Sequence, residues 1–194
     1  MDLKAKYGDE KVWVVRSDEV KTYSDGPFFD DDQIDFCIKN GEDKLRYEVE
    51  NDPSYKQIIP YAIVTDDHYH YFCTHRLAGD GRLTGKYSIG TGGHMKPGET
   101  LTEALFRELN EEVGITPDDM TSIIRTGYIL DNSSEVNSVH LGIVYIIGVN
   151  NAKNVIVQEK EKLSGEWIDG NTLATLFNSD ALESWSEYVY KNCI

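Results

Sequence analysis

The sequence predicts an α/β fold, a sandwich of helices around a central mixed β-sheet, and three observations carry that expectation. Two β-rich runs, YAIVT from Tyr61 and HYHYFCT ending at Thr74, flank the turn-like DDH and suggest a hairpin. A capped helix follows over about Leu101 to Val113, and strand-like runs at Ser122 to Leu130 and Val139 to Gly148 come after it. Strands interspersed with helices favour packing of helices on a sheet over an all-β or all-α arrangement.

In chain order, Val12 to Val15 is a short strand. SDGPFFDDD is turn-rich, and Ile34, Cys37 and Ile38 then recur at helical i, i+3, i+4 spacing, with Gly41 placed to end that helix. After the hairpin, RLAGDGRLTGKYSIGTGG is rich in glycine and basic residues and reads mostly as loop. GEWI is a short strand, and two helical segments complete the chain.

The whole is sized for one catalytic domain: 194 residues, 40% hydrophobic and 27% charged, suffice for one well-buried core. A formal net charge of −15 argues against binding nucleic acid or an anionic membrane, whose phosphates are held by clustered Lys and Arg. It also means that an anionic ligand needs a metal or a local basic patch to overcome the surrounding field. Three widely spaced cysteines, Cys37, Cys73 and Cys193, form neither a disulfide framework nor a zinc ribbon and suit a reducing cytoplasm. Leu141 to Val149, the longest apolar run, is too short to span a bilayer, and the N-terminus carries no signal-like stretch, so a soluble cytoplasmic protein is expected.

The helix from Leu101 carries the chemistry. Thr100 with Glu103 makes a capping box, and Gly114 supplies a left-handed residue to close the far end. At about 100° per residue, Leu105, Leu109 and Val113 form an apolar stripe while Glu108, Glu111 and Glu112 gather on the adjoining face. Like charges at these spacings repel by roughly 0.2 to 0.5 kcal/mol per pair, and carboxylates in a last turn oppose the helix dipole. A bound divalent cation would compensate, since hard cations take carboxylate oxygens and bridge them to phosphates.

From Gly93 to Ile115 the residues match G-x5-E-x7-R-E-U-x-E-E-x-G-U, with U aliphatic, at every fixed position. This is the Nudix box, and the chain resembles the Nudix hydrolases. The resemblance implies an α/β/α sandwich and Mg²⁺- or Mn²⁺-dependent attack of water on a phosphoanhydride. It makes Glu108, Glu111 and Glu112 the metal-binding set, with Gly93 allowing close approach of backbone and metal. Arg107 resembles the arginine that orients a glutamate through an ion pair, and Glu99 the glutamate that supports loop and helix. From about Asp52 to Trp167 the chain also resembles a bacterial phosphoesterase subgroup of these proteins. By the same comparison, residues 1–55 are an extension packed on the core or at a homodimer interface, ahead of a hydrolase domain over 56–194.

Outside the box, the general base is sought in QEKEKLSGEW, at Glu159 or Glu161, with Glu111 as a rival and Glu166 also present. Arg76, Arg82 and Lys86 are candidate phosphate contacts in an acidic chain. Tyr61, Tyr87 and Trp167 are alternatives between stacking on a base and filling a core. His94 either lines the phosphate pocket or fixes its loop. GGHMKPGE also resembles isopentenyl diphosphate isomerases, but Gly92 stands where those enzymes carry a catalytic cysteine, which disfavours that chemistry. The leading expectation is a metal-dependent hydrolase of a nucleotide-like diphosphate. A ligand-binding sensor without turnover is the alternative, against which the intact glutamate set speaks.

Overall fold

The longest strand is built on a run rich in β-branched and aromatic residues. QIIPYAIV is buried along its length, as a strand with no solvent-facing side must be. A computed structural model describes residues 2–22, 29–77 and 84–194. In it, the helices are α1 (Leu3–Tyr7), α2 (Asp31–Asn40), α3 (Arg46–Val49), α4 (Leu101–Val113), α5 (Gly170–Asn178) and α6 (Ser184–Cys193). The strands are β1 (Lys11–Arg16), β2 (Glu42–Leu45), β3 (Tyr55–Thr65), β4 (Tyr71–Arg76), β5 (Tyr87–Ser88), β6 (Gly90–Gly92), β7 (Met120–Ile129), β8 (His140–Val149) and β9 (Leu163–Ile168).

These strands pair into one large sheet in the order β2-β1-β3-β4-β5, with β6 and β8 also on β3, β7 on β8 and β9 on β4. Each pairing with an assigned register is antiparallel, from Lys11↔Leu45 to Arg76↔Leu163, and an isolated parallel bridge joins Tyr87 to Leu182. The α/β class expected from the sequence is the one observed. The hairpin at Asp66–His70 closes through Thr65↔Tyr71, and Asp66 binds it internally by accepting from the His68 and His70 amides. One difference is the start of β3, which lies at Tyr55 and not near Pro60. Proline lacks the ladder donor and so masks the strand on paper, whereas the residues on either side of it keep the extended conformation.

By contact the chain forms two compact units. One comprises Met1–Pro60, Gly93–Leu105 and Thr126–Val144; the other comprises Tyr61–Gly92, Phe106–Arg125 and Tyr145–Ile194. In the first unit, Val12, Val14 and Val49 pack with Tyr55 as a core cluster. Trp13 donates its backbone N–H to Met95 O at 2.9 Å and its indole N–H to Ile38 O at 3.2 Å. Gly41 does follow α2, but with φ −69° it is not a left-handed cap. Its reason is space: a Cβ would lie 2.3 Å from Trp13 Nε1.

The second unit holds a buried hydroxyl network. Tyr61 Oη lies 3.0 Å from Ser186 Oγ and 3.2 Å from Ser88 Oγ, and Ser186 Oγ accepts the Ile89 N–H. Gly90 leaves room for the Tyr61 ring, because a Cβ there would stand 1.9 Å from its Cζ. Among the described residues no helix is long and apolar enough to cross a membrane.

Candidate active site

Helix α4 begins as its sequence dictates. Thr100 Oγ1 accepts the Glu103 N–H at 3.2 Å, and Glu103 Oε2 accepts the Thr100 N–H at 2.7 Å, so the capping box is closed in both directions. Leu101, Ala104, Leu105, Leu109 and Val113 are buried. At the far end Gly114 takes φ +73°, the conformation that glycine tolerates, and donates to Asn110 O. Two of the last helical carbonyls, Glu112 O and Val113 O, accept from the Gln158 and Ile156 amides, which draws the segment 155–158 against the helix terminus.

The three box glutamates differ in their surroundings. Glu112 Oε2 accepts from Thr91 Oγ1 and, at 3.1 Å, from the Gly92 N–H at the end of β6. Burial pushes its pKa up to about 6; the Thr91 and Gly92 donors oppose that rise, and the charges of Glu108 and Glu159 add to it. Arg107 Nη1 donates to Glu108 Oε1 and, at 3.3 Å, to Glu111 Oε2. Glu108 is largely covered, whereas Glu111 keeps half its side chain in solvent. Among the described residues, no three His, Cys, Asp or Glu side chains are grouped as ligands of one metal ion.

A cleft of about 160 Å³ opens on Glu112, and Arg76, Glu159 and Glu183 stand in its wall with Thr91 and Tyr61. Arg76 Nε donates to Glu183 Oε1 at 3.2 Å. The structure thus brings together Glu112, Glu159 and Arg76, three residues that are distant in sequence. It places the other candidates elsewhere. Lys86 Nζ donates to Asp180 O and pairs with the Asp180 carboxylate at 3.7 Å, outside the cleft wall. Glu161 is exposed and does not line the cleft, and Arg82 falls outside the described residues.

His94 and Gly93 belong to the other compact unit. There His140 Nδ1 lies 2.7 Å from Val136 O and must donate to it, which leaves Nε2 as the acceptor of a 3.2 Å bond from His94 Nε2. Burial lowers the pKa of His140, in keeping with a neutral ring. In the same unit Glu99 Oε2 accepts the Lys96 N–H at 2.8 Å and so ties the turn before α4.

The aromatic candidates are engaged with protein. Tyr61 is buried in the hydroxyl network and edges onto Trp185, Tyr87 stacks on His75 at 4.3 Å, and Trp167 packs against Phe72 and donates to Ala152 O. Sequence reasoning missed Thr91, Glu183 and Ser186. A lone hydroxyl before a motif and hydroxyl and carboxylate groups more than sixty residues after it carry no periodic or spacing signal, and only the fold assembles them.

Residues 56–193 match the family model described as NUDIX domain. Protein YmaB of Bacillus subtilis (strain 168) is 36% identical over 153 residues, covering 74% of this chain and 74% of YmaB. The solved structure of Tm1382, a protein assigned to the Nudix hydrolases, superposes with a TM-score of 0.78 at 25% identity over 94% of this chain and 97% of its own. DR0079 from Deinococcus radiodurans shares the fold with a TM-score of 0.56 at 19% identity, over 71% of this chain and 82% of its own. The complete box on a capped helix, a family match across most of the chain and a relative of this identity together make the chain a member of the Nudix family, a Nudix-type hydrolase of pyrophosphate bonds.

Proposed function

We propose that the chain is a Mg²⁺- or Mn²⁺-dependent pyrophosphohydrolase that cleaves the phosphoanhydride of a nucleoside diphosphate-linked or related small molecule. The observation that carries this reading is the meeting of Glu112, Glu159 and Arg76 in one cleft at the end of the box helix. The donors suit a hard divalent cation, because Glu108, Glu111 and Glu112 offer carboxylate oxygens whose mutual repulsion such a cation relieves. Mg²⁺ keeps several waters and takes one or two carboxylates, so a site for it needs no cluster of three convergent side chains. Bound there, the metal supplies charge neutralisation at phosphate oxygens and a lower pKa for water.

The protein groups divide the remaining work. Arg107 holds Glu108 and Glu111 in place, and Thr91 with Gly92 holds Glu112. Arg76 offers guanidinium donors to an oxygen of the diphosphate, exchanging its bond to Glu183 for a charge-assisted one. Glu159, in the wall beside Glu112, takes the proton from the attacking water; Glu161 and Glu111, the rival carboxylates, are not among the described residues that line the cleft. Buried and free Cys37 and Cys73 support a reducing cytoplasmic location.

A parallel screen tests the reading. Nucleoside triphosphates, ADP-ribose, nucleotide sugars, dinucleotides, coenzyme A and isoprenoid diphosphates are incubated with Mg²⁺ and with Mn²⁺, and products are identified by mass. Metal-dependent cleavage of one class is the expected result. Tight binding of a ligand without cleavage under either metal would replace the hydrolase with a sensor.

A further inference from the structure

Two cavities lie along one side of the β4–β9 pair. The register sets Arg76 opposite Leu163, Thr74 opposite Gly165 and Phe72 opposite Trp167, and residues paired in this way, like those two apart in a strand, share a face. The acidic cleft occupies the Arg76 and Leu163 end of that face. Next to it, a second cavity of about 320 Å³ is walled by Phe72, Val155, Ile156, Val157 and Leu163. Val157 and Leu163 belong to both walls.

The second cavity differs in chemistry from the first. Among the described residues Lys160 is the one charged side chain on its wall, whereas the first has Glu112, Glu159, Glu183 and Arg76. Gly165 lines it beside Phe72 and Val157: a Cβ there would stand 2.5 Å from Phe72 Cζ and 2.6 Å from Val157 Cγ2, so a larger residue would displace both side chains. Its roof is fixed, since the Ile156 and Gln158 amides are bonded to the carbonyls that end α4. Ile156, an aliphatic side chain on that wall, keeps 46% of its surface exposed.

We propose that the two cavities form one bipartite substrate groove, with the phosphoanhydride in the acidic cleft and an apolar organic group, an aryl ring or short alkyl chain, in the cavity over Gly165. This rests on the pyrophosphohydrolase reading and adds the substrate's second half to it. The volume lies at the lower end of the roughly 300 to 1,000 Å³ of small-molecule sites, enough for one ring or a short chain. Lys160 and Ser164 are the polar side chains on that wall among the described residues, so most of a sugar's hydroxyls would face hydrocarbon, which selects against glycosyl substrates.

The test uses the full chain with Mn²⁺ and a set of adenosine diphosphate esters that share the anhydride and differ in the terminal group: butyl, benzyl or ribosyl. The expected kcat/KM is about tenfold or more higher for the butyl and benzyl esters than for the ribosyl one, a ratio typical of an apolar subsite. Ile156→Asn, at the exposed rim, and Gly165→Ala, which displaces Phe72 and Val157, are each expected to reduce that preference to about twofold. Equal or faster turnover of the ribosyl ester, or a preference that survives both substitutions, overturns the proposal. Glu112→Gln separates the two levels. If it abolishes turnover and the preference is absent, only the apolar subsite fails. If it leaves turnover intact, or if the wild type cleaves none of the esters, the hydrolase site itself has been misplaced and the subsite falls with it.

Discussion

Glu112 is the residue on which structure and chemistry converge. Two protein donors and substantial burial act on its carboxylate in opposite directions, and burial wins, so its folded-state pKa rises to about 6. A raised carboxyl pKa means that the fold favours the protonated form. Its contribution to stability is therefore complete below about pH 4.5 and is lost as the pH rises through about 6. In metal-free protein the loss amounts to at most ~2 kcal/mol. Glu112→Gln removes the titration, so its urea midpoint should stay level across that window while the wild type declines; parallel profiles would show that burial does not dominate. Gly90 makes a simpler case. Adding a methyl group against the Tyr61 ring forces a shift of the ring or of β6, and Gly90→Ala is expected to destabilise by about 1 to 3 kcal/mol in denaturant unfolding.

At the scale of the element, α4 is where sequence and structure agree most closely, because each of its signals is local. A threonine and a glutamate three residues apart, an apolar stripe and a closing glycine lie within fifteen residues, and each is physically adjacent to what it acts on. Thr100→Ala opens the box and is expected to cost about 1 kcal/mol, read from a shift in thermal midpoint, whereas Thr100→Ser should cost little. The less legible features depend on distant partners. Gly41 reads as a helix stop but serves Trp13 across the unit, and β3 starts five residues before the proline that hides it. Arg76 and Glu159 look like any two loop charges until β4 and β9 pair and the 155–158 segment bonds to the end of α4. Lys86, chemically as good a phosphate ligand as Arg76, is held by Asp180 for the same reason: its neighbours come from elsewhere in the chain.

For the whole molecule, residues 1–55 cannot be a loosely attached tail. Val12, Val14 and Val15 are essentially free of solvent, and β1 hydrogen-bonds β2 on one side and β3 on the other. A fragment over 56–194 is expected to lose cooperative unfolding and to bind hydrophobic dyes; a sharp transition near that of the full chain would show that the family domain folds alone. The proposed catalysis has a divalent metal at the box glutamates driving pyrophosphate hydrolysis in an otherwise repulsive acidic field. Its most direct test is the rate of anhydride cleavage with Mg²⁺, with Mn²⁺ and after chelation, comparing wild type with Glu112→Gln on the best substrate from the screen. Turnover is expected to vanish on chelation and to fall at least about a hundredfold in the variant, with the fold retained. Full activity of Glu112→Gln with an unchanged metal requirement would contradict it.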